Sequence, residues 1–362
     1  MKPVVTFGEI MCRLAAPEFL RLRQANELEV TYAGAEASVA ASICIFGGAA
    51  RYVTALPRHA LGQAAVDRLR ALGIDTGFVR RTDAGRLGLY FLETGANQRP
   101  SNVIYDRADS AIATTPADDY DWAGTLNGAQ WLHLSGITPA LSRLAAHATL
   151  TAAQKAKEMG VQVSIDLNFR KKLWRWDSGR PSRQLAEDTM RGILPFVDMV
   201  IANEEDCGEV LGVHAGDTNV AAGSLNVRRY AEVARQVTAQ FGNIVRVAIT
   251  LRESLSATHN NWGALLHDQT LNRTYFAPLD REGGYAAYQI RSIVDRVGSG
   301  DAFAAGLIFA LTNRELAEPQ TALDFAVAAS CLKHSIKGDF NFSSREEVES
   351  LMRGAASGRV NR

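Results

Sequence analysis

The 362-residue chain carries 39 Lys and Arg residues against 39 Asp and Glu residues, so its formal net charge is zero. This balance gives no reason to expect nucleic acid or an anionic membrane surface as a partner. Hydrophobic residues make up 47% of the chain, and no apolar run approaches the length of a membrane span. The N-terminus resembles a first strand and not a signal peptide, and the four cysteines are scattered without a zinc-ligand spacing. We therefore expect a cytoplasmic protein with reduced thiols.

The N-terminal third of the chain mixes two kinds of predicted strand. Residues 4–10 and 51–56 predict short apolar strands, and helices are expected after Gly34 and over 60–72. Polar and apolar residues alternate in four further segments, at 18–24, 30–32, 87–93 and 102–107. Alternation predicts strands with one exposed face. We expect these segments to form a small side sheet from two excursions, at about 11–33 and 86–109, which covers a site as a lid.

From about residue 110 onward, predicted strands and helices alternate. Strands are expected at 131–136, 161–166, 199–203, 245–250 and 261–266, and the final helical region spans about 301–338. Repeated strand–helix units predict an α/β fold with a doubly wound, mostly parallel sheet and helices on both faces. No Pro-rich or Ser-rich linker divides the chain, so residues 1–362 are expected to form a single domain with the lid attached.

Polar residues recur where the predicted strands end. These clusters are Glu9, Gly34 and residues 166–170, 203–205, 250–252 and 295–301. In doubly wound sheets, ligands bind beyond the carboxyl ends of the strands. The clusters therefore predict one composite site.

The segment 295–306 predicts a strand end, a tight loop and a buried helix. Gly298 and Gly300 leave the backbone N–H groups uncovered, which is typical of an anion site at a helix N-terminus. A carboxylate beside a bound phosphate is unfavourable unless it takes part in the chemistry. Asp301 is therefore a candidate general base for a nucleophile that attacks the phosphate. The alternative is a plain turn in which Asp301 only caps the helix.

Three blocks in the chain carry a family resemblance. Asp295-x-x-Gly-x-Gly-Asp301-x-Phe-x-x-Gly306 resembles the second signature of the PfkB (ribokinase-like) carbohydrate kinases, and Gly34-Ala-Glu-Ala-Ser38 resembles the first. Asn203-Glu-Glu205-Asp206 resembles the family's Asn-x-x-Glu motif. The resemblance covers nearly the whole chain and implies a ribokinase-like fold. Further strings, such as Asp166-Leu-Asn-Phe-Arg170, resemble the branch that phosphorylates 2-keto-3-deoxygluconate.

The resemblance implies in-line transfer of the γ-phosphoryl group of ATP to a sugar hydroxyl, with Mg²⁺ as cofactor. Asp301 is the implied base, and the backbone of Gly298, Ser299 and Gly300 is implied to stabilise developing negative charge. The implied nucleotide-binding residues are Asn203, Glu205, Thr250, Arg252, Gly298, Gly300 and Lys333. Glu205 is expected to hold Mg²⁺ through water, and the alternative is that the 203–206 segment is only a solvated acidic run. Adenine is expected near residues 250–262 and 330–341.

Asp295 has two interpretations at this stage. In relatives, the corresponding residue lies close to the phosphates or helps to shape a site for a monovalent cation such as K⁺. It could equally brace the loop.

A 2-keto-3-deoxy acid carries a carboxylate, so it needs cationic partners. Arg107 and Arg170 are the candidates, because a guanidinium binds a carboxylate through two parallel hydrogen bonds. The other implied substrate-binding residues are Gly34, Ser38, Tyr90 and Tyr105. Ser38 departs from the family pattern, which often has an Asn there. Tyr90 could instead be a core aromatic of the lid, and Arg170 a surface charge.

Two other function classes stay open. The acceptor could be fructose or a related keto-sugar, and more distantly the chain could be a non-catalytic binding protein for sugar or nucleotide. Edge strands of a small sheet invite pairing between protomers, so a homodimer through the lid is expected.

Overall fold

The computed structural model describes residues 2–203, 205–214 and 227–354. The strands, in chain order, are β1 (Val4–Phe7), β2 (Met11–Ala15), β3 (Glu29–Ala33), β4 (Ala50–Val53), β5 (Ala55–Pro57), β6 (Arg80–Thr82), β7 (Leu89–Glu93), β8 (Asn102–Asp106), β9 (Trp131–Ser135), β10 (Gln162–Asp166), β11 (Met199–Ala202), β12 (Arg246–Ser256), β13 (His259–Asp268), β14 (Arg273–Ala277) and β15 (Tyr288–Ile290). The helices are α1 (Ala35–Ile45), α2 (Ala60–Ala71), α3 (Ala111–Thr114), α4 (Trp122–Leu126), α5 (Arg143–Glu158), α6 (Ser182–Ile193), α7 (Asp206–Leu211), α8 (Val227–Gln240), α9 (Ser299–Thr312), α10 (Pro319–Lys333) and α11 (Arg345–Met352).

The large sheet has the order β14-β13-β12-β11-β10-β9-β1-β4, and β15 also pairs with β13. In this sheet, neighbouring strands along the row β4-β1-β9-β10-β11-β12 are parallel. The pairs β12–β13, β13–β14 and β13–β15 are antiparallel. This confirms the mostly parallel doubly wound sheet. The strand predicted at 261–266 lies within β13, which forms one long hairpin with β12 through a short turn.

The parallel strands are buried on both faces, so their side chains alternate between two cores. In β11, Met199 and Ile201 pack into one core, while Val200 and Ala202 pack into the other. The first core holds apolar side chains of α1, α9 and α10, and the second holds those of α5, α6 and α8. Helices therefore cover both faces of the sheet, as predicted. Among the described residues, no helix combines the length and apolar character needed to cross a bilayer.

A separate four-stranded sheet has the order β3-β2-β7-β8 and is called the small sheet. Its strands fall within the two predicted excursions, which confirms a second, smaller sheet. The alternation at 18–24 was misleading, because those residues form turns and bends and β2 lies earlier, at Met11–Ala15. The strand expected over 51–56 is also split. Its second half, β5, leaves the large sheet and pairs with β6.

Helix α9 carries the end of the 295–306 segment and is buried on nearly all sides. Gly306 permits this packing, because a Cβ there would lie 2.9 Å from the Cα of Ala326 on α10. The final helical region therefore consists of two helices packed closely against each other. This contact fixes the direction in which the N-terminus of α9 points.

Candidate active site

A cavity of about 320 Å³ lies beyond the carboxyl ends of the parallel strands. It is lined by most of the residues singled out in the sequence, namely Gly34, Tyr90, Tyr105, Arg107, Arg170, Asn203, Thr250, Arg252, Gly298, Ser299, Gly300 and Asp301. Residues from β7, β8, β10, β11 and β12 and from the N-terminus of α9 thus meet at one place. The predicted composite site corresponds to this cavity.

The loop before α9 presents backbone to the cavity. Gly298 has a φ of +84°, and a Cβ there would lie 2.0 Å from the carbonyl oxygen of Asp339. Both facts require glycine at this position. The Ser299 hydroxyl donates to the Arg296 carbonyl (3.0 Å), and the Ser330 hydroxyl donates to the Ser299 carbonyl (2.6 Å). The loop is therefore held rigidly while the first N–H groups of α9 stay directed to the cavity.

Asp301 lies in the first turn of α9, on the wall of the cavity. Burial raises its pKa to about 8, and the negative charges of Asp339 and Glu36 add to this effect. The positive charges of Arg170 and Lys333 oppose it. A carboxyl group with a pKa close to neutral pH is well suited to accept a proton from a hydroxyl.

The strand ends of β10 and β11 bring two further carboxyl groups to the cavity, Asp166 and Asp206. Asp206 accepts hydrogen bonds from the backbone N–H of Phe169 (3.1 Å) and Asn203 (3.2 Å). Burial raises the pKa of Asp206, and it raises that of Asp166 well above its usual range, with the charges of Asp206 and Asp301 adding to the shift in Asp166. This end of the cavity therefore favours a bound cation.

The two predicted arginines approach the cavity from different elements. Arg107 follows β8, and its Nε donates to Oε2 of Glu9 at 2.6 Å, with both side chains buried. This bond orients the guanidinium. Arg170 is partly buried, and its Nη1 donates to the Phe169 carbonyl (3.0 Å). Both arginines line the cavity that Asp301 also lines, so their positive charges would attract an anionic ligand to this cavity.

A buried ionic network joins the small sheet to the loop before α9. Arg13 of β2 contacts Asp295 through Nη2 (2.6 Å) and Asp339 through Nη1 (2.5 Å). The Tyr90 hydroxyl donates to the carboxylate of Asp339 (2.7 Å). The small sheet is thereby attached to the segment that carries Asp301.

Comparisons with known proteins agree with this arrangement. A sequence profile described as pfkB family carbohydrate kinase matches residues 1–234. The chain is also 33% identical to a 2-dehydro-3-deoxygalactonokinase of Haloferax volcanii, over 98% of this chain and 98% of that protein. The chain belongs to the pfkB family of carbohydrate kinases. It is therefore a phosphotransferase that acts on a sugar hydroxyl.

Two further relatives are similar to this pfkB kinase. The crystal structure of 2-dehydro-3-deoxygluconokinase from Thermotoga maritima is 43% identical, with a TM-score of 0.87, and the alignment covers 98% of this chain and 100% of that one. A 2-dehydro-3-deoxygluconokinase of Bacillus subtilis is 26% identical over 84% of this chain and 81% of that protein. The TM-score agrees with the ribokinase-like fold expected from the sequence.

Three predicted site residues lie away from the cavity of this pfkB kinase. Ser38 is buried within α1, and its hydroxyl has no hydrogen-bond partner among the described residues. Glu205 is exposed, and its backbone N–H donates to Asn203. Lys333 is fully buried beneath the loop before α9. A direct contact of these side chains with substrate, metal or nucleotide would therefore require a rearrangement.

Four polar or aromatic residues that line the cavity were not named as candidates from the sequence: Asp206, Trp262, Arg296 and Asp339. Arg296 donates to the carbonyls of Ser256 (3.1 Å) and Ala257 (2.8 Å) at the tip of the β12–β13 hairpin. Its position between Asp295 and the two glycines was the available signal. Asp339 carried no signal beyond its place in a branch-specific string.

Proposed function

We propose that this kinase transfers the γ-phosphoryl group of ATP to a hydroxyl of 2-keto-3-deoxygluconate. The observation that carries the proposal is the placement of Arg107 and Arg170 on the same cavity as Asp301 and the glycine loop. An acid substrate needs such cations, whereas a neutral sugar does not. The name of the Thermotoga relative supports the same acceptor.

A second acceptor is favoured by the Haloferax relative, which is named a 2-dehydro-3-deoxygalactonokinase. That acid differs from the gluconate compound only in the configuration at C-4, so both would use the same arginines. Fructose is the neutral alternative, because it lacks the carboxylate that Arg107 and Arg170 would bind.

The chemical step follows from the position of Asp301. Its carboxylate takes the proton of the sugar hydroxyl while the hydroxyl oxygen forms a bond to the γ-phosphorus of ATP. The bond from that phosphorus to the bridging oxygen breaks, and ADP leaves. The N–H groups of Gly298, Ser299 and Gly300 and the dipole of α9 stabilise the negative charge on the transferred group. Thr250 and Arg252 line the same cavity on the strand next to Asn203, where they would contact the nucleotide phosphates.

Magnesium fits the acidic end of the cavity. Asp166, Asp206 and Asn203 offer hard oxygen donors. Burial raises the pKa of both carboxyl groups and so disfavours their charged forms. A bound divalent cation would offset this effect and favour the charged carboxylates. Among the described residues, no group of three or more His, Cys, Asp or Glu could hold a metal by itself. Magnesium would therefore take most of its ligands from phosphate oxygens and water, with Asp166 and Asp206 as the nearest protein anions. When bound, it neutralises phosphate charge.

The small sheet is proposed to act as the lid of a single kinase domain. One face turns Tyr90 and Tyr105 toward the cavity, with ring centroids 6.3 Å apart. Closing this face over the sugar would exclude water from the reacting hydroxyl.

The other face supports the proposal of a homodimer. Pairing places Val30, Leu14, Phe91 and Ile104 in one row across the sheet, and the outer members are 59% and 48% exposed. An apolar row on a small sheet is a typical interface. Ile104→Glu should convert a dimer to a monomer in light scattering. A wild-type monomer at micromolar concentration would contradict the proposal.

The substrate assignment is tested with a panel of acceptors and a matched pair of variants. Purified kinase is assayed for ADP release with 2-keto-3-deoxygluconate, 2-keto-3-deoxygalactonate, gluconate and fructose. We expect Arg170→Ala to raise KM for the keto acids about tenfold or more, because a charged hydrogen bond contributes about 1.5–3 kcal/mol. Lys171→Ala removes an exposed charge from the neighbouring position and is the control. An equal loss with keto acids and fructose, or no loss, would reject the carboxylate assignment.

A further inference from the structure

Lys333, at the C-terminus of α10, is fully buried. Its ammonium group donates to the carbonyl oxygen of Ile336 at 3.0 Å and to that of Asp295 at 3.4 Å. Burial lowers its pKa, while the negative charges of Asp295, Asp339 and Asp301 oppose that shift. A lysine is almost never buried in this way unless it is paired, because removing its charge from water is costly.

The surroundings of Asp295 do not fit an exchangeable monovalent cation. One carboxylate oxygen accepts from the Val297 N–H (3.0 Å), and the other accepts from Arg13 (2.6 Å) and from the Gly338 N–H (3.1 Å). The carbonyl oxygen of Asp295 faces the Lys333 ammonium. The two carboxylate oxygens and the carbonyl oxygen of Asp295 thus face protein donors, two of which are themselves cationic. A potassium ion at Asp295 would be repelled by Arg13 and Lys333.

The charges of the buried group balance only when Lys333 is counted. In their ionised forms, Arg13 and Lys333 contribute two positive charges, and Asp295 and Asp339 contribute two negative charges. Burial raises the pKa of Asp339, and the positive charge of Arg13 opposes that shift. Without Lys333, the base of the glycine loop would hold a net negative charge close to Asp301. The positive charge of Lys333 also lowers the pKa of Asp301, against the larger effect of burial. It therefore favours the ionised form of the base.

We propose that Lys333 is a tethered cation that replaces a monovalent metal ion beneath the glycine loop, so that phosphoryl transfer by this chain needs no added potassium. The ammonium group joins the carbonyl oxygen at the start of the loop to the turn after α10, and it supplies fixed positive charge beside Asp301. Lys333 touches neither substrate in this arrangement and is a positioning residue. The inference rests on the proposed kinase function.

The first arm of the test uses the wild-type protein. Activity with ATP as its Tris salt is measured in 100 mM choline chloride and in 100 mM potassium chloride. We expect kcat to agree within about twofold, because the cation is supplied by the chain. A loss of activity in choline that potassium restores would overturn the proposal.

The second arm uses Lys333→Met, which keeps an unbranched side chain but removes the charge. In choline we expect kcat to fall about tenfold or more, with KM for the sugar acid nearly unchanged, since the loss falls on the transition state. Potassium or ammonium should restore part of kcat, and the acid limb of the pH profile should move to higher pH. Lys337→Met, which removes an exposed lysine paired with Glu29, is the control. Full activity of Lys333→Met in choline would overturn the proposal.

A third readout does not depend on turnover. Potassium should raise the melting temperature of Lys333→Met more than an equal concentration of choline does, and it should not do so for the wild type. This result would stand even if every candidate sugar failed as a substrate. Failure of the proposed function can therefore be distinguished from failure of the Lys333 proposal. If Lys333→Met does not fold, the wild type alone still tests the proposal. A potassium-specific rise in its melting temperature would refute the role of Lys333 as a tethered cation, and equal melting temperatures in potassium and choline would support that role.

Discussion

The raised pKa of Asp301 predicts how activity depends on pH. With a pKa of about 8, about 1% of this carboxyl group is ionised at pH 6, about 9% at pH 7 and half at pH 8. Because the proposed mechanism needs the ionised form, kcat/KM should rise about tenfold from pH 6 to pH 7 and about fivefold from pH 7 to pH 8, and then level off. The raised pKa thus predicts a kinase with an alkaline optimum.

The assay follows ADP release at low sugar acid concentration from pH 6 to pH 9, with the coupling enzymes in excess at every pH. Asp301→Asn should lower kcat by about 10²–10⁴-fold and remove the acid limb. Asp83→Asn, which changes an exposed carboxylate that contacts Arg58, is the matched control and should keep the wild-type profile. A wild-type profile that is flat between pH 6 and pH 8 would refute the reasoning, and so would an Asn variant that retains the same acid limb.

The same group affects stability with a defined sign. The pKa of Asp301 is raised from 3.8 to about 8, so the folded protein binds this proton more tightly than the unfolded chain does. The resulting stabilisation is fully present below about pH 4 and is lost as the pH rises through about 8. Asp301→Asn removes this dependence. Its melting temperature relative to wild type should therefore increase from pH 5 to pH 9, and a constant difference would contradict the assignment.

The remaining predictions concern the loop and the ionic network. Gly298→Ala should destabilise the fold by about 2 kcal/mol or more in urea titrations, because of its positive φ and the clash with Asp339. A Cβ at Gly300 would have no atom within 4 Å, so Gly300→Ala should keep wild-type stability while lowering kcat/KM. Equal stability losses in the Gly298 and Gly300 variants would be inconsistent with the loop geometry. Arg13→Met should cost about 3–5 kcal/mol of unfolding free energy, because it leaves Asp295 and Asp339 buried without their cation. A loss under about 1 kcal/mol would show that the network is not buried in solution.

Much of the cavity could be predicted from the sequence because a parallel sheet brings its strand ends together. Asp166 and Asn203 follow successive strands, so their proximity needs only the strand assignments. The network of Arg13 could not be found in that way. Its partners lie 282 and 326 residues further along the chain, and nothing local in the sequence marks a pair at such separation.

The local errors have equally physical causes. Residues 18–24 alternate in polarity, yet a short polar segment can alternate by chance and form turns. Lys333 was assigned to the nucleotide from the family resemblance, and nothing local in the sequence marks a lysine as buried. The structure places this lysine in the interior, where the carbonyl oxygens of Ile336, after α10, and of Asp295, before α9, accept its hydrogen bonds.

The tip of the β12–β13 hairpin contacts both the loop between β7 and β8 and the loop before α9. The Ala257 N–H donates to the Asn97 carbonyl (2.7 Å) in the loop between β7 and β8, while the Ala257 carbonyl accepts from Arg296. Ala257 thus links the loop between β7 and β8, the strands that carry Tyr90 and Tyr105, to Arg296 in the loop before α9. Thermodynamic reciprocity requires that if sugar binding tightens ATP binding by some factor, ATP tightens sugar binding by the same factor. We expect sugar and ATP to tighten each other's binding in this kinase, with the coupling transmitted through Ala257. Such coupling would disfavour transfer of phosphate to water when no sugar is bound.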